Sequence, residues 1–206
     1  MPVSRQTYHH GDLPAALLEA AEEELALHGI ERFSLRSVAK RAGVSHAAPA
    51  HHFRDRRGLL TALAARGYER LLDFQGRRQD RTASSPRARI VASGLGYIDF
   101  ASAHPALFRL MFSSDLPDRD DPRFSTASLL TFEKLVSETE AVANRNPYRD
   151  QAAMTDLMAS WAQVHGLAEL IVSGRAERPL GLAALRDDER DAVLTGILRR
   201  LAPDGA

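Results

Sequence analysis

The sequence predicts an all-α chain in two parts: a three-helix unit containing a helix-turn-helix over residues 1–60, and a larger helical unit over residues 61–206. Three observations predict it. Apolar residues recur at three- and four-residue steps through most of the chain, and no segment alternates apolar and polar as a strand does. Cap residues also mark three short helices within about 40 residues, ahead of a long one.

Leu13 to His28 reads as the first helix, with Leu17, Ala21 and Leu25 at four-residue steps and Gly29 where a left-handed C-terminal cap is wanted. Ser34 caps a second, short helix that turns Leu35, Val38 and Ala39 inward and ends at Gly43. Ser45 is placed to cap a third helix through Phe53, and Asp55 a fourth that runs from Arg56 well past Tyr68. Breaks follow at Ser84 to Pro86, Ser113 to Arg123, Asn144 to Pro147 and Ser173 to Gly181, where turn-forming residues gather. His104-Pro105 reads as a helix start with proline in the first position, opening the run Leu107, Phe108, Leu110, Met111, Phe112. Leu129, Phe132 and Val136 mark one later stripe, and Met154, Met158, Trp161, His165 and Ala168 another. Val193, Leu194, Ile197, Leu198 and Leu201 form the apolar face of the last helix, and residues 202–206 read as a loose tail.

Composition narrows the function classes. Apolar residues at 44% and charged ones at 26% are the balance of an ordinary globular protein. Cysteine is absent, which excludes disulfides, thiolate metal sites and cysteine nucleophiles. The start of the chain holds no run suited to a signal peptide, and no stretch of about 18 apolar residues occurs, so a cytoplasmic protein with no membrane partner is expected. Glycine-rich phosphate loops, Gly-x-Ser-x-Gly and His-Glu-x-x-His are missing, and the pairs Asp120-Asp121 and Asp187-Asp188 fall at loops or helix starts. No catalytic residue, cofactor or metal is therefore expected. His46, His51 and His52 cluster, but His46 and His51 are five apart rather than four, and no carboxylate or cysteine completes a ligand set. His9 and His10 read as part of a flexible extension.

The formal net charge of zero hides an asymmetry. Between Arg32 and Arg57 stand seven basic residues (Arg32, Arg36, Lys40, Arg41, Arg54, Arg56, Arg57) against one acid, Asp55. That window is the candidate for phosphate contact, because neutralising phosphates and releasing their counterions drives nucleic-acid binding. The same window has the mechanics of a helix-turn-helix. Ala39 is small where two helices cross, Gly43 permits the sharp turn, Val44 plugs the angle, and Ser45 starts the helix that enters a groove.

The ordered series Ala39, Gly43, Val44, Ser45, His52, Phe53, within RFSLRSVAKRAGVSHAAPAHHFRDRRGLL, resembles the signature of the TetR family of transcription regulators. The resemblance covers the first 60 residues closely and the remainder in helix layout and one further motif. It implies an N-terminal DNA-binding domain (1–60) and a C-terminal effector-binding and dimerisation domain (61–206). Two departures stand out. Family members commonly carry a tyrosine where this chain has Ala50, a ring whose hydroxyl is implied to touch a phosphate; and Pro49 sits inside the recognition helix, tolerable in its first turn. The Ala-Ala-Pro helix, the preceding Tyr8-His9-His10-Gly11-Asp12-Leu13 and the later Trp161-Ala162-Gln163-Val164-His165-Gly166 are similar to a branch whose C-terminal domain carries a Trp-His-Gly motif.

On this basis Ser34, Arg36, Ser45, His46, Ala47, Ala48, His51, His52, Arg56 and Arg57 are the candidate DNA-binding residues. Arg36, Arg56 and Arg57 would position the protein on phosphates, although most charged helix residues are merely solvated, and Arg57 replaces an acid usual in the family. His46 can read a purine edge and Ala47 or Ala48 a thymine methyl, while His51 can reach base or phosphate. Tyr97, Phe100, Phe108, Met111, Phe112, Phe132, Met154, Met158, Trp161 and His165 are the candidate walls of a cavity for a mostly apolar effector, with plain helical core as the competing reading.

A lone helix-turn-helix has too small a footprint for useful specificity, so a homodimer on a palindromic operator is expected. Its surface would be the outer face of the Trp161 helix with the terminal helix: Ala159, Gly166, Leu194, Ile197 and Leu201. An effector would release a repressor by changing the separation of the two reading heads. Two alternatives stay open: a helical small-molecule carrier with a degenerate DNA-binding part, kept alive by Ala50, and an enzyme on a helical scaffold.

Overall fold

The computed structural model describes residues 13–200, so His9, His10, Leu201 and the tail lie outside the described residues. Among the described residues all regular structure is helical. α1 (Leu13–Arg32) buries Leu17, Ala21 and Leu25, as the four-residue steps require. Gly29 interrupts it with φ 69° and ψ 176°. The positive φ expected of a left-handed cap is there, but the extended ψ makes Gly29 a break followed by a further turn rather than a stop.

α2 (Leu35–Ala42) begins where Ser34 Oγ accepts the Ser37 N–H at 3.1 Å. It ends at Gly43 (φ 68°, ψ 28°), with the Gly43 and Val44 N–H groups donating to the Lys40 and Ala39 carbonyls at 3.3 and 3.0 Å. This is the Schellman ending that a left-handed glycine permits. α3 (Ala48–Phe53) corrects the cap expected at Ser45: Ala47 holds the cap position without a side-chain bond, and Ser45 contributes only its carbonyl, accepting the Ala48 N–H at 3.0 Å. Pro49 is the physical reason. A helix starting at His46 would drive the proline ring against the carbonyl four residues back, so the helix starts late and keeps Pro49 in its first turn.

α4 (Arg56–Gln79) starts where Asp55 accepts the Gly58 N–H at 2.8 Å, and it is the axis of the molecule, buried at Leu59, Leu60, Leu63 and Leu71 and packed on α1, α3, α5, α6 and α7. The helices around it are α5 (Pro86–Ala103), α6 (Pro105–Phe112), α7 (Pro122–Ala143), α8 (Gln151–Val172) and α10 (Asp187–Arg199). The loop expected from Ser173 to Gly181 contains a one-turn helix, α9 (Glu177–Leu180), which Gly181 ends. Prolines 86, 105 and 122 stand in first turns, where a missing N–H costs nothing. Ser85, Asp121 and Asp150 supply side-chain caps.

α5 approaches α4 closely at Gly96, where a Cβ would lie 2.6 Å from Gln75 Cα and 2.7 Å from the Phe74 carbonyl oxygen. Ion pairs tie the layers together. Arg41 on α2 bonds Glu24 on α1 at 2.8 Å, and Arg70 on α4 and His104 ahead of α6 share Glu22. At the far end of α4, Arg78 bonds Asp99 on α5 at 2.5 Å and Asp191 on α10 at 3.0 Å.

Candidate nucleic-acid interface and interior cavity

α2, the turn and α3 form the reading head that the glycine, valine and small-residue pattern predicts. Val38, Ala39 and Ala42 are buried on α2, Val44 is half-buried against the core, and Pro49 and Phe53 face inward from α3. The opposite side of α3 and its leading turn carry Ser45, His46, Ala47, Ala50, His51 and His52, all exposed; Ala48 is half-buried. His51 and His52 rings meet edge-on at 5.2 Å. Arg54 ends the helix in a tight reverse turn with φ 68° and ψ −61°, closed by the Asp55 N–H on the Phe53 carbonyl at 2.8 Å.

The basic window divides into engaged and outward cations. Arg41 is committed to Glu24; burial pushes the Glu24 carboxyl up, but hydrogen bonds from Arg41 and Ser37 outweigh it and hold the group below the usual carboxylate range. Arg56, expected on a phosphate, instead turns inward. Its Nη2 and Nε donate to the Ile30 and Phe33 carbonyls at 2.5 and 3.2 Å. The Phe33 carbonyl lies past the end of α1 and the Ile30 carbonyl accepts only the Phe33 N–H at 3.4 Å, so both have room for the guanidinium fork. Arg57 lies 3.4 Å from Asp118, both groups well exposed. Arg32, Arg36, Lys40 and Arg54 are exposed and make no ion pair among the described residues. Ser34, the other candidate polar contact, is half-buried and spends its hydroxyl as the α2 cap.

A second site lies on the other side of α4. A cavity of about 560 Å³ opens between α4, α5, α7 and α8, with Leu198 of α10 closing one end. Of the residues expected to line it, Tyr97, Phe112, Phe132 and Trp161 do. Phe100, Phe108 and Met111 are fully buried core, and Met154 is half-buried away from the wall. Met158 points outward at 46% exposure. The periodicity that places Met154, Met158, Trp161 and His165 on one stripe is real, but α8 turns the Met158 edge of that stripe to solvent. His165 stands behind the wall: its Nδ1 meets Tyr97 Oη at 2.8 Å and its ring packs within 5.5 Å of Phe108 and Phe112. Burial lowers the His165 pKa against a smaller opposing pull from Glu169, and burial pushes the Tyr97 hydroxyl well up, so the pair is uncharged near neutrality.

Sequence reasoning missed the polar part of the wall: Gln75 on α4, Ser93 on α5, and Ser125, Ser128 and Thr131 on α7. The signal available was Ser93 among the buried apolar residues of α5, a polar residue on an inward face. Of the expected pairing surface, Ala159 is exposed and Gly166 and Ile197 half-buried, but Leu194 has no exposed area. α10 docks on α5 through Leu194 and Leu198, so Leu194 cannot serve a second surface. The outward face of α8 instead shows Met158, Ala162, Gly166 and Leu170 at four-residue steps.

Among the described residues no helix is long and apolar enough to cross a membrane. Residues 17–63 match the family described as bacterial regulatory proteins of the tetR family, and residues 90–197 match the tetracyclin repressor-like C-terminal domain. A solved protein of unknown function from Rhodococcus sp. RHA1 is 33% identical and superposes with a TM-score of 0.72 over 95% of this chain and 98% of its own. A TetR-like transcriptional regulator from the same organism is 14% identical with a TM-score of 0.65, covering 96% of this chain and 100% of its own, which speaks for the fold. The HTH-type transcriptional regulator BetI of Cronobacter sakazakii is 27% identical over 75% of this chain and 73% of its own length. The regulator Mb1846 of Mycobacterium bovis is 29% identical over 58% of this chain and 51% of its own length. With an exposed helix-turn-helix at one end, a larger helical part behind it and both family models matched in order, the chain belongs to the TetR family of DNA-binding transcriptional regulators.

Proposed function

We propose that this chain is a homodimeric repressor that leaves its operator when a small molecule occupies the cavity behind α4. The observation that carries the reading is the position of α4, whose first turn packs under the reading head and whose second half, at Tyr68 and Gln75, forms cavity wall. One helix thus touches both sites. An effector that prefers one tilt of α4 needs only a coupling of about 1–3 kcal/mol to shift the heads. The division into a DNA-binding part (1–60) and an effector part (61–206), and membership of the Trp-His-Gly branch through Trp161, His165 and Gly166, belong to the same proposal.

On DNA, His46, Ala47 and His51 face the bases of the major groove, with His52 and Ala48 at the edge of the contact, and Arg36 reaches a phosphate. The unpaired Arg32, Lys40 and Arg54 join Arg36; Arg56 serves the head from within, and Arg57 contacts DNA only by leaving Asp118. Two heads about 34 Å apart, roughly one turn of duplex, read a palindromic operator. The pairing surface is the α8 stripe Met158, Ala162, Gly166 and Leu170 with Ala159, joined by the outer face of α10 at Ile197.

Recovery of preferred duplexes from a random pool, followed by titration across salt, tests this. A palindromic consensus and an affinity that falls steeply with salt are expected. Salt-insensitive, sequence-blind behaviour would instead fit a carrier whose head no longer reads DNA.

A further inference from the structure

The polar chemistry of the cavity wall is lopsided. Among the described residues its only charged residue is Glu138, and that carboxylate is held by Lys134 Nζ at 2.5 Å and by Gln79 Nε2 at 2.6 Å. No lysine, arginine or histidine stands on the wall among the described residues. Ser125, Ser128 and Thr131 spend their hydroxyls on carbonyls of their own helix, and Gln163 donates to the Ile197 carbonyl at 3.0 Å. Gln75 differs: its Oε1 is buried and meets no hydrogen-bond donor, and its amide makes no bond to any described residue. The Ser93 hydroxyl, on a residue only 4% exposed, is likewise uncommitted. Ser93 lies one turn from Gly96 on α5, and Gly96 packs directly on the Gln75 backbone, so the two groups sit at the same crossing of α4 and α5.

A buried amide without a partner costs stability unless something satisfies it, and a carboxylate moved into such surroundings without a cation costs far more. We propose that the cavity selects an uncharged, largely apolar ligand bearing a group that both donates and accepts a hydrogen bond, such as an amide or hydroxyl, held by Gln75 and Ser93, and that it rejects carboxylates. The inference rests on the reading of this cavity as the effector site. Aromatic and aliphatic residues, Tyr97, Phe112, Phe132, Trp161 and Leu135, supply the apolar remainder.

The test uses the full chain and four probes with one carbon skeleton: decanamide, decan-1-ol, decanoate and decylammonium, at pH 8. Binding is followed by titration calorimetry and by the emission of Trp161, the single tryptophan. Decanamide and decan-1-ol should bind and shift the emission, with decanoate and decylammonium each at least tenfold weaker. Gln75→Leu should weaken decanamide by about tenfold, the equivalent of one net hydrogen bond, and leave decanoate unchanged. If Gln75→Leu does not melt cooperatively, Ser93→Ala, which removes one atom, should show a loss in the same direction. Decanoate or decylammonium binding as tightly as decanamide overturns the inference and leaves the effector reading standing. Silence from all four probes overturns both.

Discussion

Arg36 and Arg56 look alike in the sequence, two arginines in one basic window, and the fold leaves the first exposed and turns the second inward. Arg56→Met keeps the apolar stem but removes both bonds, stranding the Phe33 carbonyl and leaving Ile30 only the long bond from the Phe33 N–H, so urea unfolding should show a loss of about 1–3 kcal/mol. Arg36→Ala should leave the melting curve within about 0.5 kcal/mol, as exposed substitutions do. With the proposed phosphate contact, Arg36→Ala should weaken binding alike on all sequences and lower the slope of log affinity against log salt by about 1 per half-site. A second residue-scale consequence concerns pH. His165 has its pKa lowered from 6.5 by burial, so the unfolded chain binds the proton more readily than the folded one. Stability is therefore full above about pH 6.5 and falls as acid protonates the imidazole through its depressed folded value. His165→Gln should flatten the decline of melting temperature between pH 7 and pH 5; an unchanged slope would remove His165 as its cause. Residue types and spacing showed which positions were basic or aromatic, but not which arginine would find the two carbonyls at the end of α1, because those lie 23 and 26 residues away along the chain.

At the scale of elements the sequence was more legible. Ser34, Gly43, Asp55 and the first-turn prolines mark helix ends by local chemistry, and local chemistry decided them. Ser45 failed because two local signals conflicted, a cap residue and a proline four positions on, and the ring's steric demand outweighed one capping bond. The cavity was half legible: periodicity located α8 and its tryptophan, but core and wall have one composition, and only the packing of α7 decides which aromatic faces space. Two glycines that look equivalent in sequence separate here. Gly96→Ala places a methyl against backbone atoms of α4 that cannot yield locally, so a loss of about 3 kcal/mol or more, beyond ordinary overpacking, is expected in thermal unfolding. Gly67→Ala meets the flexible but buried Met111 side chain rather than backbone, so ordinary overpacking of about 1–3 kcal/mol is offset by about 1 kcal/mol of helix propensity, and the loss should stay below that of Gly96→Ala.

For the molecule as a whole, the α8 stripe predicts how copies meet. Met158→Glu puts a charge at the first position of that row, on an exposed large side chain, and on the proposed pairing sedimentation should show a shift from dimer to monomer with the melting of the monomer little changed. Operator affinity should fall by about a hundredfold or more, since two heads no longer bind as one ligand. A dimer that persists in Met158→Glu would move the interface elsewhere. The least visible property from sequence is how α4 is fastened. Arg56 bolts its near end to α1, and Arg78 bolts its far end to α5 and α10. A rod pinned at both extremities cannot absorb a push at its midpoint by fraying, so a guest pressing on Tyr68, as the proposed function requires, must turn the whole rod. The two fastenings also differ in kind, carbonyls at one end and carboxylates reachable by solvent at the other, so added salt should slacken the far bolt first.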